Sequence, residues 1–343
     1  MDQQNIKIEA FAAEQANNTL VPYSYEVPKL GPDDIIINIT HCGVCYSDVA
    51  FIDNHFGATD YPLVAGHEVV GLVKQKGSNV DHLEVGQRVG VGPQCGSCLN
   101  CEYCGSGREL LCDEKKLTIG GGNRGGFAEA MKVDANFAFP IPQSLTSVNA
   151  APLLCAGLTT YSPLAHNTRP GMHVGIMGIG GLGHLAIQFA NKMGLEVTAF
   201  STSSSKEAEA RGFGAHHFIN TSEPQELSAS TRKLDFMLST IYADIDWPTY
   251  MQMLKPDGHF CLVGASMGPI NMPAALLTIN QHHISGAAAG GRADMMAMLN
   301  FAAQHNIQSQ TQEMPMSEIS AALEKVRNND VRYRMVLINT KAP

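Results

Sequence analysis

At 343 residues the chain is long enough for about two domains, each with its own core, and 44% hydrophobic and 16% charged residues describe an ordinary soluble globular protein. A formal net charge of -9 excludes a general affinity for nucleic acid or anionic membrane, since both need basic patches. The opening MDQQNIKIEAF is polar and mixed, and no apolar run is long enough to span a bilayer, so a cytoplasmic protein is expected.

In the first half, Ile35–Ile39, Val69–Val73 and Val89–Val91 are short, β-branched and bounded by Gly, Pro or Asp-Asp. They read as strands, and the first 150 residues or so are expected to be mostly β. Within this region lies His41-Cys-Gly-Val-Cys-Tyr-Ser-Asp48, followed by Gly66-His67-Glu68 and, much later, Cys155. Cys45, His67 and Cys155 offer a thiolate, an imidazole and a second thiolate, with the Glu68 carboxylate beside them. That is a three-ligand zinc set with room for a fourth, and an ion with an open position is a Lewis acid. Cys42 reads as a small buried residue. Ser47 would put a hydroxyl near a metal-bound oxygen, and Asp48 would accept from the ring N–H of His67 and fix its tautomer. Taken singly, Ser47 is equally a turn residue and Asp48 a surface charge.

Nine cysteines raise the question of disulfides, but five of them crowd between Cys95 and Cys112, and without a secretory signal such clustering favours metal. Cys98, Cys101, Cys104 and Cys112 form C-x2-C-x2-C-x7-C, four thiolates that close a tetrahedral zinc completely, so the site would be structural. Cys95 could mimic the first ligand, but counting back from Cys112 excludes it. An iron–sulfur cluster is the competing occupant.

From about residue 156 strands and helices alternate. His173–Met177 is a short apolar strand that runs directly into Gly178-Ile179-Gly180-Gly181-Leu182-Gly183, and Leu182, Leu185, Ala186, Phe189, Ala190 and Met193 then mark one face of a helix. In that context G-x-G-x-x-G reads as a dinucleotide fingerprint: Gly178 for the turn, Gly180 for approach of the pyrophosphate, Gly183 for helix–strand packing. The next strand, Leu195–Phe200, ends in Ser201-Thr202-Ser203-Ser-Ser-Lys206 instead of a carboxylate. Hydroxyls and a lysine suit a 2′-phosphate, so NADP(H) is expected over NAD; the competing role for these serines is to cap the next helix. Further strands are expected at Leu234–Leu238, at His259–Val263 after a Pro256-Asp-Gly258 turn, and around Ile284–Ala288. Ile319, Ala322, Leu323 and Val326 share a helix face, and Met335–Ile338 reads as a last strand. The expected division is a zinc domain from residues 1–155 and 294–343 around a nucleotide domain of 156–293, a doubly wound parallel α/β sheet beside a mostly-β unit.

With these motifs in place the chain resembles the zinc-dependent medium-chain alcohol dehydrogenases, in their cinnamyl-alcohol-dehydrogenase-like, NADP-preferring branch. The likeness rests on CGVCYSD, YPLVAGHEVVG, the cysteine cluster, PLLCAGLTTYSPL, GIGGLGH and DVRYRMVLIN. A Cys2His catalytic zinc is the arrangement known from alcohol dehydrogenases, which this donor set resembles. It implies a GroES-like catalytic domain, a Rossmann domain, two zinc ions per chain and reversible hydride transfer between NADP(H) and a primary alcohol–aldehyde pair, in a homodimer. It also implies Cys45, His67 and Cys155 as catalytic-zinc ligands, with Glu68 able to approach the ion. Thr159 would contact the nicotinamide end, and Thr240, Gly264 and the Ala287-Ala288 backbone the rest of the cofactor.

Two departures stand out. Ala50 replaces the histidine that passes a proton to solvent in the family, with His55 nearby in sequence, and Leu117 replaces a tryptophan of the plant enzymes. The loop 118–126 is short and glycine-rich; Phe51, Ile52, Phe56 and Leu117 are pocket-wall candidates that equally fit plain core. The alternatives are a non-catalytic NADPH-binding redox sensor on this fold, or a polyol or secondary-alcohol dehydrogenase, a branch that typically lacks a cysteine at the position of Cys155.

Overall fold

The computed structural model describes residues 5–264 and 268–340. In the first unit the chain is organised on the strand Asp34–Val44, whose Ile35, Ile36, Ile37 and Ile39 are all buried. β-branched side chains suit this pleated, doubly covered position. One edge pairs antiparallel with Glu68–Lys76; the other carries Ala130–Asp134 and then Arg334–Ile338, end to end. The seven-stranded sheet continues to Arg88–Val91 and Phe139–Pro140 on one side and Thr311–Pro315 on the other. A hairpin of Ile6–Ala12 and Val21–Val27, not anticipated from the sequence, forms a separate two-stranded sheet.

The second unit contains six parallel strands in the spatial order His217–Asn220, Glu196–Ser201, His173–Met177, Leu234–Ser239, Leu254–Leu262, His283–Gly286. Numbered within the unit this is 3-2-1-4-5-6, the doubly wound order in which ligands sit at the carboxyl ends of the strands. The fifth strand starts earlier than expected. Leu254 already pairs with Leu234, the next partners are Phe236 and His259, and the intervening Pro-Asp-Gly residues form a bulge inside the strand, with Asp257 at φ 62. Bulges absorb such extra residues without ending the pairing.

The chain divides into Met1–Cys155, Gly291–Gln304 and Gln308–Pro343 as one unit, and Ala156–Gly290 with His305–Ile307 as the other. The return crossing therefore falls at Gly291 and not at 294. A side chain at Gly291 would stand 1.9 Å from the Gly107 carbonyl, and the Arg292 N–H donates to Glu109 Oε2 at 3.1 Å, so the crossing is pinned to the first unit here. Among the described residues no helix is long and apolar enough to cross a membrane.

The first unit's core includes Phe127 and Phe137, both nearly inaccessible, and Leu337 from the last strand. Phe127 also shapes the neighbourhood of His67: its N–H donates to the Ala65 carbonyl at 2.9 Å, and its ring and backbone fill the space a Gly66 side chain would need. Phe127→Ala is expected to destabilise the fold by about 3–5 kcal/mol, read as a lower urea midpoint; a loss under about 1 kcal/mol would mean the ring does not fill that space.

Candidate metal and cofactor sites

Asp48 assembles the first site. It lies in the first turn of the helix Tyr46–Ile52 and is fully buried, where an unpaired carboxylate would be very costly. Its Oδ2 accepts from the Cys45 N–H at 2.9 Å, and its Oδ1 accepts from the Gly66 N–H and from His67 Nδ1, both at 2.8 Å. One carboxylate thereby ties the end of the central strand to the Gly66-His67 turn. Gly66 is held at φ 96, open to glycine without strain. With Nδ1 committed to Asp48, Nε2 of His67 faces Cys155 Sγ at 3.2 Å. Cys155 itself is carried on a π-helical turn, Leu153–Gly157, between the helices Ser147–Pro152 and Leu158–Asn167. Such turns often mark functional positions, and this one could not be seen in the residue pattern.

One donor atom each from Cys45, His67, Glu68 and Cys155 lies within 4.8 Å of all the others, and all four residues are buried. The hydrogen bond from Cys155 holds the Cys45 thiol well below its ordinary range, while the same bond and burial push Cys155 well above. Burial opposes charge on His67, but Asp48 outweighs it and holds the imidazole well above its usual value. Two thiols and an imidazole with donor atoms this close would give up their protons to a borderline-soft divalent cation. The donor set therefore fits zinc on its chemistry. Ser47 Oγ lies 3.7 Å from Cys45 Sγ, on the rim of this set. Cys42 is apart from it: burial pushes its thiol well up, and its sulfur would lie 3.0 Å from a side chain at Gly66, as expected of a packing residue.

Glu68 brings in a residue the sequence reading missed. Its Oε1 accepts from the Arg334 guanidinium, a buried ion pair, while its Oε2 has no hydrogen-bond partner among the described residues. Burial raises the Glu68 carboxyl to about 7 against the pull of Arg334. The only cue was a lone arginine opening the apolar strand RMVLI. Pairing of that strand with Cys42–Val44, beside Glu68, could be read only from the fold.

The sulfurs of Cys98, Cys101, Cys104 and Cys112 likewise lie within 4.8 Å of one another, and Cys98 is 3.8 Å from Cys104 and 3.5 Å from Cys112. The Asn100 N–H brings the Cys98 thiol down to about 7. Cys95 is spent elsewhere, its sulfur bonded to the Leu117 carbonyl at 3.4 Å.

In the second unit the glycine turn has the shape its motif implies. Gly178 adopts φ 85 with Ile241 and Thr240 crowding its Cβ position, Gly183 would collide with the Gly178 carbonyl at 1.8 Å, and Gly180 faces open space. Such an open backbone approach at a helix N-terminus fits a pyrophosphate. Gly181, Leu182 and the helix Gly183–Lys192 complete the cradle. Thr240 Oγ1 donates to the Met177 carbonyl at 2.8 Å, and Gly264 packs on the Ile241 backbone. Thr159 Oγ1 donates to the Ala288 carbonyl at 3.3 Å, and the Ala287 N–H to Leu262. Lys206 Nζ donates to the Ile179 carbonyl at 2.8 Å, which brings the serine turn to the glycine turn. Ser203 does act as a cap, its hydroxyl accepting from the Ser205 N–H, while Ser201 closes the strand. A cavity of about 760 Å³ lined by Thr202, Thr221, Leu227, Ile241 and Ile245 lies at the carboxyl ends of these strands.

At the departures, Ala50 is buried and His55 exposed, its ring 6.4 Å from Tyr46. Ile52 is core, fully inaccessible; Phe51 and Phe56 contact each other at 5.3 Å, with Phe56 44% exposed. Leu117 pairs with Gln94 in a separate two-stranded sheet. Gly120, Gly121 and Gly122 all have positive φ, so this loop turns in a way bulkier residues resist.

Residues 31–143 match the alcohol dehydrogenase GroES-like domain, and residues 181–304 match the zinc-binding dehydrogenase family. The chain is 37% identical to aldehyde reductase AdhA of Synechocystis sp. over 97% of its length and 99% of that protein's. A solved cinnamyl alcohol dehydrogenase from Sorghum bicolor superposes with a TM-score of 0.94 at 36% identity, covering 98% of this chain and 99% of that one. A structure of the Helicobacter pylori enzyme described as CAD complexed with NADP(H) gives 0.90 at 27% identity, covering 99% and 100%. The donor set, the strand order and these likenesses agree, and the chain belongs to the zinc-dependent medium-chain alcohol dehydrogenases, in the cinnamyl-alcohol-dehydrogenase-like branch.

Proposed function

We propose that this protein is an NADP(H)-dependent zinc alcohol dehydrogenase and aldehyde reductase, interconverting primary alcohols and aldehydes. The observation that carries the reading is the convergence of Cys45, His67 and Cys155, which come from three distant parts of the chain. Relatives named for aldehyde reduction and for 8-hydroxygeraniol oxidation support the substrate class.

When bound, zinc supplies a Lewis acid that polarises the substrate oxygen, and the dinucleotide supplies the hydride. Cys45, His67 and Cys155 hold the ion, and Asp48 keeps the His67 ring in the tautomer that leaves Nε2 free for it. Ser47 Oγ hands a proton to the substrate oxygen in reduction and takes one in oxidation. Glu68, balanced by Arg334, supplies a carboxylate oxygen that has no other partner among the described residues and could approach the ion. Cys98, Cys101, Cys104 and Cys112 would hold a second zinc and so brace a loop too polar to form a core.

For the cofactor, Gly178–Gly183 cradle the pyrophosphate, and Thr240 and Gly264 shape the floor of the same turn. Thr159 and the Ala287-Ala288 backbone take the nicotinamide end. Lys206, with Ser201, Thr202 and Ser203, takes the 2′-phosphate; its ammonium already stands at the Ile179 carbonyl. His283–Gly286 pairs on one side only among the described residues, and an open edge of this kind supports a homodimer.

Cys45→Ser or His67→Ala is expected to lower NADPH-dependent aldehyde reduction by about 10³-fold or more, because charge stabilisation worth several kcal/mol is lost at about 1.4 kcal/mol per factor of ten. Circular dichroism should be unchanged, and full activity in protein stripped of zinc would sink the mechanism. Cys104→Ser should instead lower the melting temperature and the zinc content together; an unchanged melting temperature would show that the cysteine loop is not braced by metal. Lys206→Ala should raise KM for NADPH roughly tenfold or more and leave KM for NADH nearly unchanged, since a charge-assisted hydrogen bond to phosphate is worth about 1.5–3 kcal/mol. Equal effects on both cofactors would refute the 2′-phosphate assignment.

A further inference from the structure

Three polar side chains outside both cysteine sites converge at the amino ends of the second unit's strands, the end opposite the glycine turn. His173 and Glu196 are register partners on neighbouring parallel strands, and Thr198, two residues beyond Glu196 on the same face, is the partner of His217 on the next. The pleat therefore puts two imidazoles and a carboxylate side by side. One donor atom from each lies within 4.8 Å of the others. His217 Nε2 is 2.7 Å from Glu196 Oε1, and the two imidazole rings are 5.5 Å apart.

The arrangement is more than an ion pair. His217 and Glu196 are each about half exposed (52% and 51%), where such a pair contributes little to stability. His173, by contrast, is held in place: its Nε2 meets the Thr198 hydroxyl at 2.7 Å, and its backbone N–H donates to Asp235 Oδ2 at 2.8 Å. A side-chain partner that orients an imidazole is what a metal ligand ordinarily has. The trio opens on a cavity of about 650 Å³ that Glu207 and Glu226 also line, leaving room for water to complete a coordination shell.

We propose that His173, Glu196 and His217 form a third divalent-metal site, an exchangeable one that takes zinc or a similar borderline transition-metal ion. Two imidazoles and one carboxylate favour zinc, copper or nickel over calcium or magnesium, which prefer all-oxygen shells. To reach the roughly 3.4 Å edge of a tetrahedral zinc shell the His217–Glu196 contact would open from 2.7 Å and the wider donor separations would tighten, both within the reach of side-chain rotation. The ion would tie together the starts of three adjacent strands. This site uses none of the residues assigned to the dehydrogenase chemistry and stands or falls apart from it.

The test is equilibrium dialysis of the zinc-loaded full-length protein against added Zn2+, with metal content measured for wild type, His217→Ala and Glu196→Gln. His283→Ala, on the other edge strand, serves as control. The expected result is about one more zinc per chain in wild type and control than in either site variant, with affinity weakened by at least the roughly tenfold that losing even an outer partner of a ligand costs. Added Zn2+ should also raise the thermal midpoint of wild type more than that of the variants. Glu196→Gln keeps the side chain's shape, so it decides the matter if His217→Ala folds poorly. Equal zinc content in wild type and Glu196→Gln would overturn the site and leave a surface ion pair only. Extra zinc lost equally in His283→Ala would overturn it as well, pointing to nonspecific binding by surface histidines.

Discussion

A single buried carboxylate holds the first site together. A buried carboxylate without donors is costly, and Asp48 collects three: two backbone N–H groups, from Cys45 and Gly66, and one imidazole N–H. Those bonds set where Cys45 begins its helix, how the Gly66-His67 turn is folded, and which nitrogen of His67 is left for a metal. The chemistry proposed for the protein follows from the satisfaction of that one charge. Removing it would leave the ring without a fixed tautomer and the two loops without a common anchor.

The last strand extends this logic. Arg334–Ile338 is sequence-distant from everything at the site, yet it pairs with the end of the strand that leads to Cys45. In doing so it sets the guanidinium of Arg334 on Glu68, where both partners are buried. A buried ion pair is weak evidence for stability, because desolvation offsets its attraction. Its better-supported role here is to hold one carboxylate oxygen while the other has no partner among the described residues. The C-terminal segment is thus part of the site's electrostatics as well as part of a sheet.

The second unit works by a different device. Its site is mostly backbone: a strand that ends in glycine, a turn with no room for side chains at Gly178 and Gly183, and a helix that starts where the phosphates would lie. Lys206 brings a charged side chain to that turn, through the Ile179 carbonyl. The opposite end of the same sheet, where backbone N–H groups of strand starts meet side chains of neighbouring strands, is where His173, Glu196 and His217 gather.

Much of this is legible in the residue order alone. The cysteine spacing, the strand–glycine–helix succession and the β-branched runs are local signals, and local spacing dictates local geometry: the strand His173–Met177 and the helix after it lie where the residues put them. Cys45, His67 and Cys155 form a set by their chemistry and by a family likeness, and the fold brings their donor atoms together. What residue order could not supply were the relations between distant segments. Arg334 beside Glu68, the π-helical turn under Cys155, the bulge that extends Leu254–Leu262, and the core position of Ile52 each depend on which strand lies next to which. Register between neighbouring strands also made a cluster of His173, Glu196 and His217, three residues whose separation along the chain carries no pattern. Spacing within a segment is a property of the polymer, but proximity between segments is set by sheet order and packing, and those belong to the folded state alone.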